Sequence, residues 1–369
     1  MNLEAPVPAA ELAAIRAPFA AMKAKPIDAP VVQPLGLLLD LTGEAMRARL
    51  FVVQAEGGEE ACLRPDFTVA VARAHIAAGA AKGRYVYEGK AFRAAPKGSH
   101  RAEEFLQIGL EAYGEGRSPS ADAQVAALAW SAATAGGRDD LRLVLGDASL
   151  FSAFIAALGF SAGVAARLAR GRLAAAAPAA PRQGDRLAAL LTGLPEAEAC
   201  GALEDLWSIS GIQPVGGRSA AEIVHRLVAR SNGETAQLSP AQADLARRFL
   251  AVEGAPAAAL STLTDIAREA GADLSAPLAA WRQRLAAMAA DGVPEDRITF
   301  SAGFGRDFSY YDGFLFEVRS QALGHDRPVA AGGRYDGLSA RLGAAKPSDG
   351  AVGCMVRPAR AWAGAGSSE

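Results

Sequence analysis

Residues 87–114, YEGKAFRAAPKGSHRAEEFLQIGLEAYG, decide how the chain folds, because a run of charge separates two apolar, strand-like segments. The first, 84–93, alternates and ends on Arg93. The second, 105–113, alternates again and places Gln107, Gly109 and Glu111 on one face, while Phe105, Leu106, Ile108 and Leu110 supply apolar packing. The loop 94–104 between them carries Lys97, His100, Arg101, Glu103 and Glu104. The pattern is a β-hairpin that gathers a carboxylate, an amide and, from the end of the paired strand, a guanidinium on a common surface. Such a set suits a pocket for a small zwitterion. A solvated polar outer face would show the same alternation.

On the N-terminal side, Leu12, Ile15, Phe19 and Met22 give a helix over 9–23, and Pro26 and Pro30 then force an extended path. The apolar run 31–41 reads as a strand interrupted by Pro34, which belongs at an edge or a chain interface. Short strands follow at 50–53 and 61–63. The turn 64–68, RPDFT, opens a helix over 69–78 that Thr68 or Asp66 can cap. On the C-terminal side, Ser118-Pro119 supplies the cap and first position of a helix that runs to about Thr134 and stops at Gly136-Gly137. A buried strand covers 141–145.

From 151 to 288 the periodicity is helical throughout. Capping-box spacing occurs at Ser219 with Glu222 and at Ser239 with Gln242, and 174–181 reads as a low-complexity linker. Strands return at 298–304, 313–318, 328–331 and 350–356, so one sheet is built from both ends of the chain. The class is α+β: a largely antiparallel sheet flanked by helices, with a core formed by 1–150 and 291–369 and a mainly helical insertion at 151–290. No GxGxxG or Walker loop argues for a nucleotide-binding βαβ array.

Composition bounds the function. Lys and Arg number 38 against 40 Asp and Glu, so no global field draws the chain to nucleic acid. Three scattered cysteines, Cys62, Cys200 and Cys354, indicate neither a disulfide framework nor a zinc site, and the expectation is a cytoplasmic protein with no metal and no cofactor. No signal segment and no run of about 18 apolar residues occurs, which predicts no membrane association. His75 and His225 read as packed or surface histidines, His100 and Arg101 as solubilising loop charge, and Trp130, Trp207 and Trp281 as helix-packing residues.

Four segments together resemble the catalytic core of histidyl-tRNA synthetases, a class II synthetase fold: LRPDFT at 63–68, FRAAPKGSHRAEEFLQIGLEAYG at 92–114, RDFSYYDGFLFEV at 306–318 and AGGRYDGL at 331–338. The resemblance covers about 5–150 and 255–362. It implies a histidine pocket at Asp66, Thr68, Gln107 and Glu111, joined by Arg306, Tyr310 and Tyr311. Asp66, Thr68 and Gln107 would take the ammonium; Glu111 and a tyrosine hydroxyl would orient the imidazole. The segment around Pro34 resembles the class II dimerisation motif and implies a homodimer.

The departures from that family matter as much. Arg93 matches the arginine for the α-phosphate of ATP and Arg360 the one for the γ-phosphate, but Ala95 replaces a nucleotide-binding glutamate. Arg357 and Pro358 replace the small residues that leave room for the nucleotide, and Ala359 stands in place of an acid. With only nine residues after Arg360, no anticodon-binding domain is expected, and so no tRNA substrate. A synthetase-like core with a histidine pocket and a damaged ATP site resembles the regulatory subunits of ATP phosphoribosyltransferase. That resemblance implies a non-catalytic subunit of the first step of histidine biosynthesis, with a short-form catalytic partner, L-histidine as effector and a hetero-oligomer. Arg93 and Arg360 would be a remnant nucleotide site. The alternative is a free-standing ligase that forms an amino-acid adenylate.

Overall fold

A computed structural model describes residues 3–54, 57–58, 60–96, 98–99, 101–160, 190–191, 194–210, 219–221, 223–224, 238–305 and 310–364. The strands, in chain order, are β1 (Lys25–Pro26), β2 (Val32–Pro34), β3 (Val52–Gln54), β4 (Glu60–Leu63), β5 (Gly83–Phe92), β6 (Glu104–Tyr113), β7 (Leu141–Asp147), β8 (Glu253–Gly254), β9 (Ile298–Ser301), β10 (Phe314–Ser320), β11 (Ala330–Arg334) and β12 (Ala351–Val356). Nine of them form one sheet in the order β1-β5-β6-β12-β11-β10-β7-β9-β8, and β2-β4-β3 form a second. The run from β5 to β7 is antiparallel throughout, while β1 on β5 and β9 on β7 are parallel. The fold is thus α+β, with a class II synthetase-like, largely antiparallel sheet, as expected, although its hairpin-connected reading missed the two parallel pairs.

The central hairpin pairs Gly89 with Gln107, Tyr87 with Gly109 and Tyr85 with Glu111. β6 is also covered on its other edge by β12, which pairs Gly353 with Glu111. Gln107 and Glu111 are therefore in the middle of the sheet and almost wholly buried, so the solvated-face reading of the alternation does not hold. The run 31–41 also differs from expectation: the strand ends at Pro34 and Leu35–Thr42 is a helix burying Leu35, Leu38, Leu39 and Leu41. Leucines at three- and four-residue spacing satisfy a helical face, and Pro34, extended at φ −63°, suits the entry to it.

Local capping chemistry behaves as read at two sites. Ser118 Oγ accepts from the Ala121 amide at the start of Pro119–Thr134, and Ser239 and Gln242 cap each other reciprocally before Pro240–Leu250. The Glu222 box, His225, His100, Lys97 and the 174–181 segment lie outside the described residues. The helix Pro119–Thr134 buries Ala123, Ala126, Ala129, Ala132 and Ala133, and it packs on β11, β12 and the helix Ser275–Ala290. Alanines there let backbone approach backbone closely.

The chain divides into two units: Met1–Leu150 with Ala251–Asp265 and Asp273–Glu369, and Phe151–Leu250 with Ile266–Ala272. The helix Ser275–Ala290 falls in the larger unit, where Trp281 is fully buried and donates from Nε1 to Asp147 Oδ2 at 2.9 Å. In the smaller unit Phe249 stacks on Phe154 at 4.5 Å. A buried ion network ties the larger unit together: Asp122 Oδ1 accepts from Arg334 Nε at 2.9 Å and Asp122 Oδ2 from Arg284 Nε at 2.7 Å. Among the described residues no helix is long and apolar enough to cross a membrane, and no group of three or more His, Cys, Asp or Glu could hold a metal.

Candidate functional site

The site is assembled on the face of β6 that carries Gln107 and Glu111. The turn 64–68 closes over one side, and its geometry is set by Arg64: Nε donates to Lys90 O at 2.8 Å, Nη1 donates to Ala29 O, and the guanidinium lies 3.9 Å from the Phe67 ring centroid. Phe67 in turn stacks on Tyr87 at 4.2 Å. The helix Thr68–Ala77 begins there without a side-chain cap. The two residues expected to cap it are used otherwise: Thr68 Oγ1 donates to Glu111 Oε1 at 2.8 Å, and Asp66 Oδ2 accepts from the Tyr310 hydroxyl at 2.9 Å. Glu111 Oε2 accepts from the Tyr335 hydroxyl.

Asp66, Thr68, Gln107, Glu111, Tyr310, Tyr311 and Arg93 all line one cavity, together with Tyr87, Ala331, Gly353, Cys354 and Met355. Arg93 reaches it with Nε donating to Pro65 O at 2.8 Å. Arg306 lies outside the described residues. Arg360 does not line the cavity; it sits on the turn of helix Pro358–Ala361 and donates from Nη1 to Pro328 O at 3.0 Å. Of the two arginines read as a remnant nucleotide site, Arg93 borders the cavity, and Arg360 lies near enough to feel the charge of Arg93 without lining it.

Four residues that the sequence reading left without a role belong here. Tyr335 is fully buried and fixes the Glu111 carboxylate; it lies in AGGRYDGL, so the quoted motif contained the signal. Tyr87 and Cys354 face the same space from β5 and β12. Gly353 makes the site possible, since a Cβ there would sit 1.7 Å from Glu111 Oε2. Gly353→Ala is therefore expected to displace the carboxylate and weaken ligand binding by roughly ten-fold or more, read by calorimetric titration against the unchanged protein.

Burial dominates the electrostatics. It pushes Glu111 up to about 8, against the hydrogen bonds from Tyr335 and Thr68 that favour the ionised form. Burial also raises Tyr87 and the Cys354 thiol on the cavity wall, and Tyr335 beside Glu111, so these groups are neutral. Gln107 is fully buried, yet among the described residues neither its amide nitrogen nor its oxygen has a hydrogen-bond partner. An amide left so is costly unless a ligand or water completes it. Among the described residues the space in this partly open cavity is about 10 Å³, room for about one water, so a larger ligand requires the walls to part.

His75 is a packed histidine, as read: it stacks on Tyr113 at 4.2 Å, with Nδ1 3.0 Å from the Tyr85 hydroxyl and Nε2 3.1 Å from Ser348 Oγ. Burial holds its pKa below the usual range.

The fold has counterparts. A family model described as histidyl-tRNA synthetase matches residues 25–211 and 217–356. Among solved structures, an ATP phosphoribosyltransferase regulatory subunit/histidyl-tRNA synthetase from Bacillus halodurans superposes with a TM-score of 0.63 at 19% identity, over 96% of this chain and 78% of that one. Histidyl-tRNA synthetase from Nostoc sp. PCC 7120 superposes with a TM-score of 0.59 at 18% identity, over 95% of this chain and 69% of that one. Among curated relatives, the ATP phosphoribosyltransferase regulatory subunit of Brucella anthropi is 35% identical over 90% of this chain and 91% of its own length. That of Brucella canis is 35% identical over 96% of this chain and 97% of its own length. With that identity along nearly the whole of both sequences, on a histidyl-tRNA synthetase-like fold, the chain belongs to the ATP phosphoribosyltransferase regulatory subunit family.

Proposed function

We propose that this chain is a non-catalytic subunit of a cytoplasmic ATP phosphoribosyltransferase, that it activates a short-form catalytic partner, and that it passes on feedback inhibition by L-histidine bound beside Glu111. The observation that carries the reading is the buried Gln107 amide, without a partner among the described residues, in one cavity with Glu111, Asp66 and Thr68, in a chain of this family. The set suits histidine: Asp66 and Gln107 for the ammonium, Arg93 for the carboxylate, and Glu111 held by Thr68 and Tyr335 for an imidazole N–H. Arg306 would join them.

The small cavity supports a regulatory role. A ligand that must part the Tyr310–Tyr311 wall binds two arrangements of the core unequally, and only such a difference shifts an equilibrium. Coupling of about 1–3 kcal/mol changes partner activity five- to a hundred-fold. The exposed valines Val31, Val32 and Val52 around β2 and β3 support the homodimer read from Pro34, since an aliphatic face of this kind favours contact with a second copy.

Reconstitution with a purified short-form catalytic subunit tests the reading. Phosphoribosyl transfer to ATP is expected to rise several-fold or more on adding the chain and to fall on adding L-histidine, and Gln107→Ala is expected to keep the activation but lose the histidine response. Activation with no histidine response in the unaltered protein would move the effector site elsewhere. ATP–pyrophosphate exchange with histidine would instead support the adenylate-forming ligase.

A further inference from the structure

β5 begins at Gly83 and β12 at Ala351, both opposite Tyr113, the last residue of β6. The segments that leave the sheet there, 81–82, 114–116 and 346–349, line a second cleft of about 500 Å³, which shares no lining residue with the cavity beside Glu111. Backbone builds it: the Gly114 amide donates to Gly350 O at 2.9 Å and the Gly116 amide to Asp349 O at 2.8 Å. Gly114 turns the chain at φ 75°, where a Cβ would lie 2.5 Å from Ala81 O and 2.6 Å from Lys82 Cγ, so glycine lets these segments meet. Ser348 is fixed on the wall. Its amide donates to Ser339 Oγ at 3.2 Å, and its hydroxyl lies 3.1 Å from Nε2 of the buried His75, whose Nδ1 is 3.0 Å from the Tyr85 hydroxyl.

The lining has the chemistry to hold a small, hydroxylated anion. Lys82 and Lys346 are exposed, and neither is in an ion pair among the described residues. Of the two carboxylates in the lining, Glu115 accepts from Arg84 Nε at 2.7 Å, a contact that holds its carboxyl below the usual range and balances its charge without the lysines. Two ammonium groups therefore remain for a phosphate, while the Asp349 carboxylate and the Ser348 hydroxyl suit sugar hydroxyls. Among the described residues no aromatic side chain lines the cleft, so a base would find no stacking surface, whereas a sugar needs none. The volume is that of a small-molecule site. We propose that this cleft binds a sugar phosphate, with Lys82 and Lys346 on the phosphate and Asp349 and Ser348 on the sugar hydroxyls. The lysines supply charge, and the hydroxyl that His75 orients supplies direction; a bare phosphate would use only the first.

Calorimetric titration of the intact chain with D-ribose 5-phosphate, inorganic phosphate and D-ribose, each alone, tests the assignment. Ribose 5-phosphate should bind with a Kd below about 1 mM and at least about ten-fold more tightly than phosphate, and ribose should not bind. Lys82→Gln/Lys346→Gln should weaken that binding by about ten-fold or more at an unchanged melting temperature, since both side chains are exposed. Ser348→Ala should bring ribose 5-phosphate toward the affinity of phosphate. No binding of ribose 5-phosphate by the unaltered chain up to about 10 mM, or binding that either variant retains in full, would overturn the proposal. Equal affinity for ribose 5-phosphate and phosphate would mean an adventitious ion only and would overturn it as well. Saturating L-histidine should leave ribose 5-phosphate binding in place; strict competition between them would put the sugar phosphate in the Glu111 cavity and refute a second site.

Discussion

Glu111→Gln is expected to weaken L-histidine binding by roughly 10- to 150-fold, the loss of one charged hydrogen bond, while making the ligand-free protein more stable above pH 8. The two effects have one cause. Burial holds Glu111 up to about 8, above the ordinary value of 4.5, so between those limits the folded chain keeps a proton that the unfolded chain has released. The contribution of this group is full below about pH 4.5, falls as pH rises toward 8 and is then level. Ionised Glu111 thus destabilises the empty fold by something on the order of a few kcal/mol, and a glutamine, which cannot ionise, removes that cost. Thr68 and Tyr335 donate to different oxygens of Glu111, so one of them can still donate to the amide oxygen while the other hydroxyl accepts from the amide NH2. Denaturant unfolding from pH 5 to pH 9 should slope downward in the unaltered protein and flatten in the variant; parallel slopes would refute the assignment. The same shift predicts that histidine binding near pH 7 releases up to one proton, because an imidazole N–H prefers the carboxylate. Calorimetry in buffers of different ionisation enthalpy measures that release, which should vanish in Glu111→Gln.

Asp122→Ala is expected to cost about 3–5 kcal/mol of stability. The Asp122 carboxylate is fully buried and holds two guanidinium groups, Arg334 and Arg284, that come from β11 and from the helix Ser275–Ala290. Burial pushes the Asp122 carboxyl up even against both arginines, so the intact network gives little net stability. Removing one member costs far more, because it strands buried charge. Arg334 would retain Asp336 and the Gly116 carbonyl, and Arg284 would retain Asp147 at 3.9 Å and the faces of Trp281 and Phe314. The loss should appear as a lower denaturant midpoint. A shift of less than about 1 kcal/mol would show that water reaches the arginines and that the network is not sealed. Since Tyr335 follows Arg334 directly, loosening this network also loosens the hydroxyl that fixes Glu111.

Most of the elements, and the face that carries the site, were legible in the residues alone. Period two in 105–113 placed Gln107 and Glu111 together, Ser118-Pro119 and Ser239–Gln242 marked helix starts, and quoted motifs gave Asp66, Thr68, Tyr310 and Tyr311, which one cavity gathers. These signals are local: a strand repeats every two residues, and a cap acts over three. The misreadings were local too. The leucines after Pro34 fit a strand by composition and a helix by spacing, and spacing prevailed. Thr68 and Asp66 fit a helix cap equally well, but a buried carboxylate and a buried hydroxyl claimed them.

By itself the sequence determined the α+β class, the hairpin and the polar face within it. Only the tertiary structure decided that this face is buried in the middle of the sheet, that Tyr335 reaches Glu111 across 224 residues, and that Glu4 reaches Arg357 across 353. The reason is physical: alternation and capping are written in the spacing of neighbours, whereas burial and the pairing of distant charges depend on which strands come to lie side by side. Glu4 carries no pattern of its own; it meets the Leu106 amide and Arg357 only because β12 stops short of the end of β6.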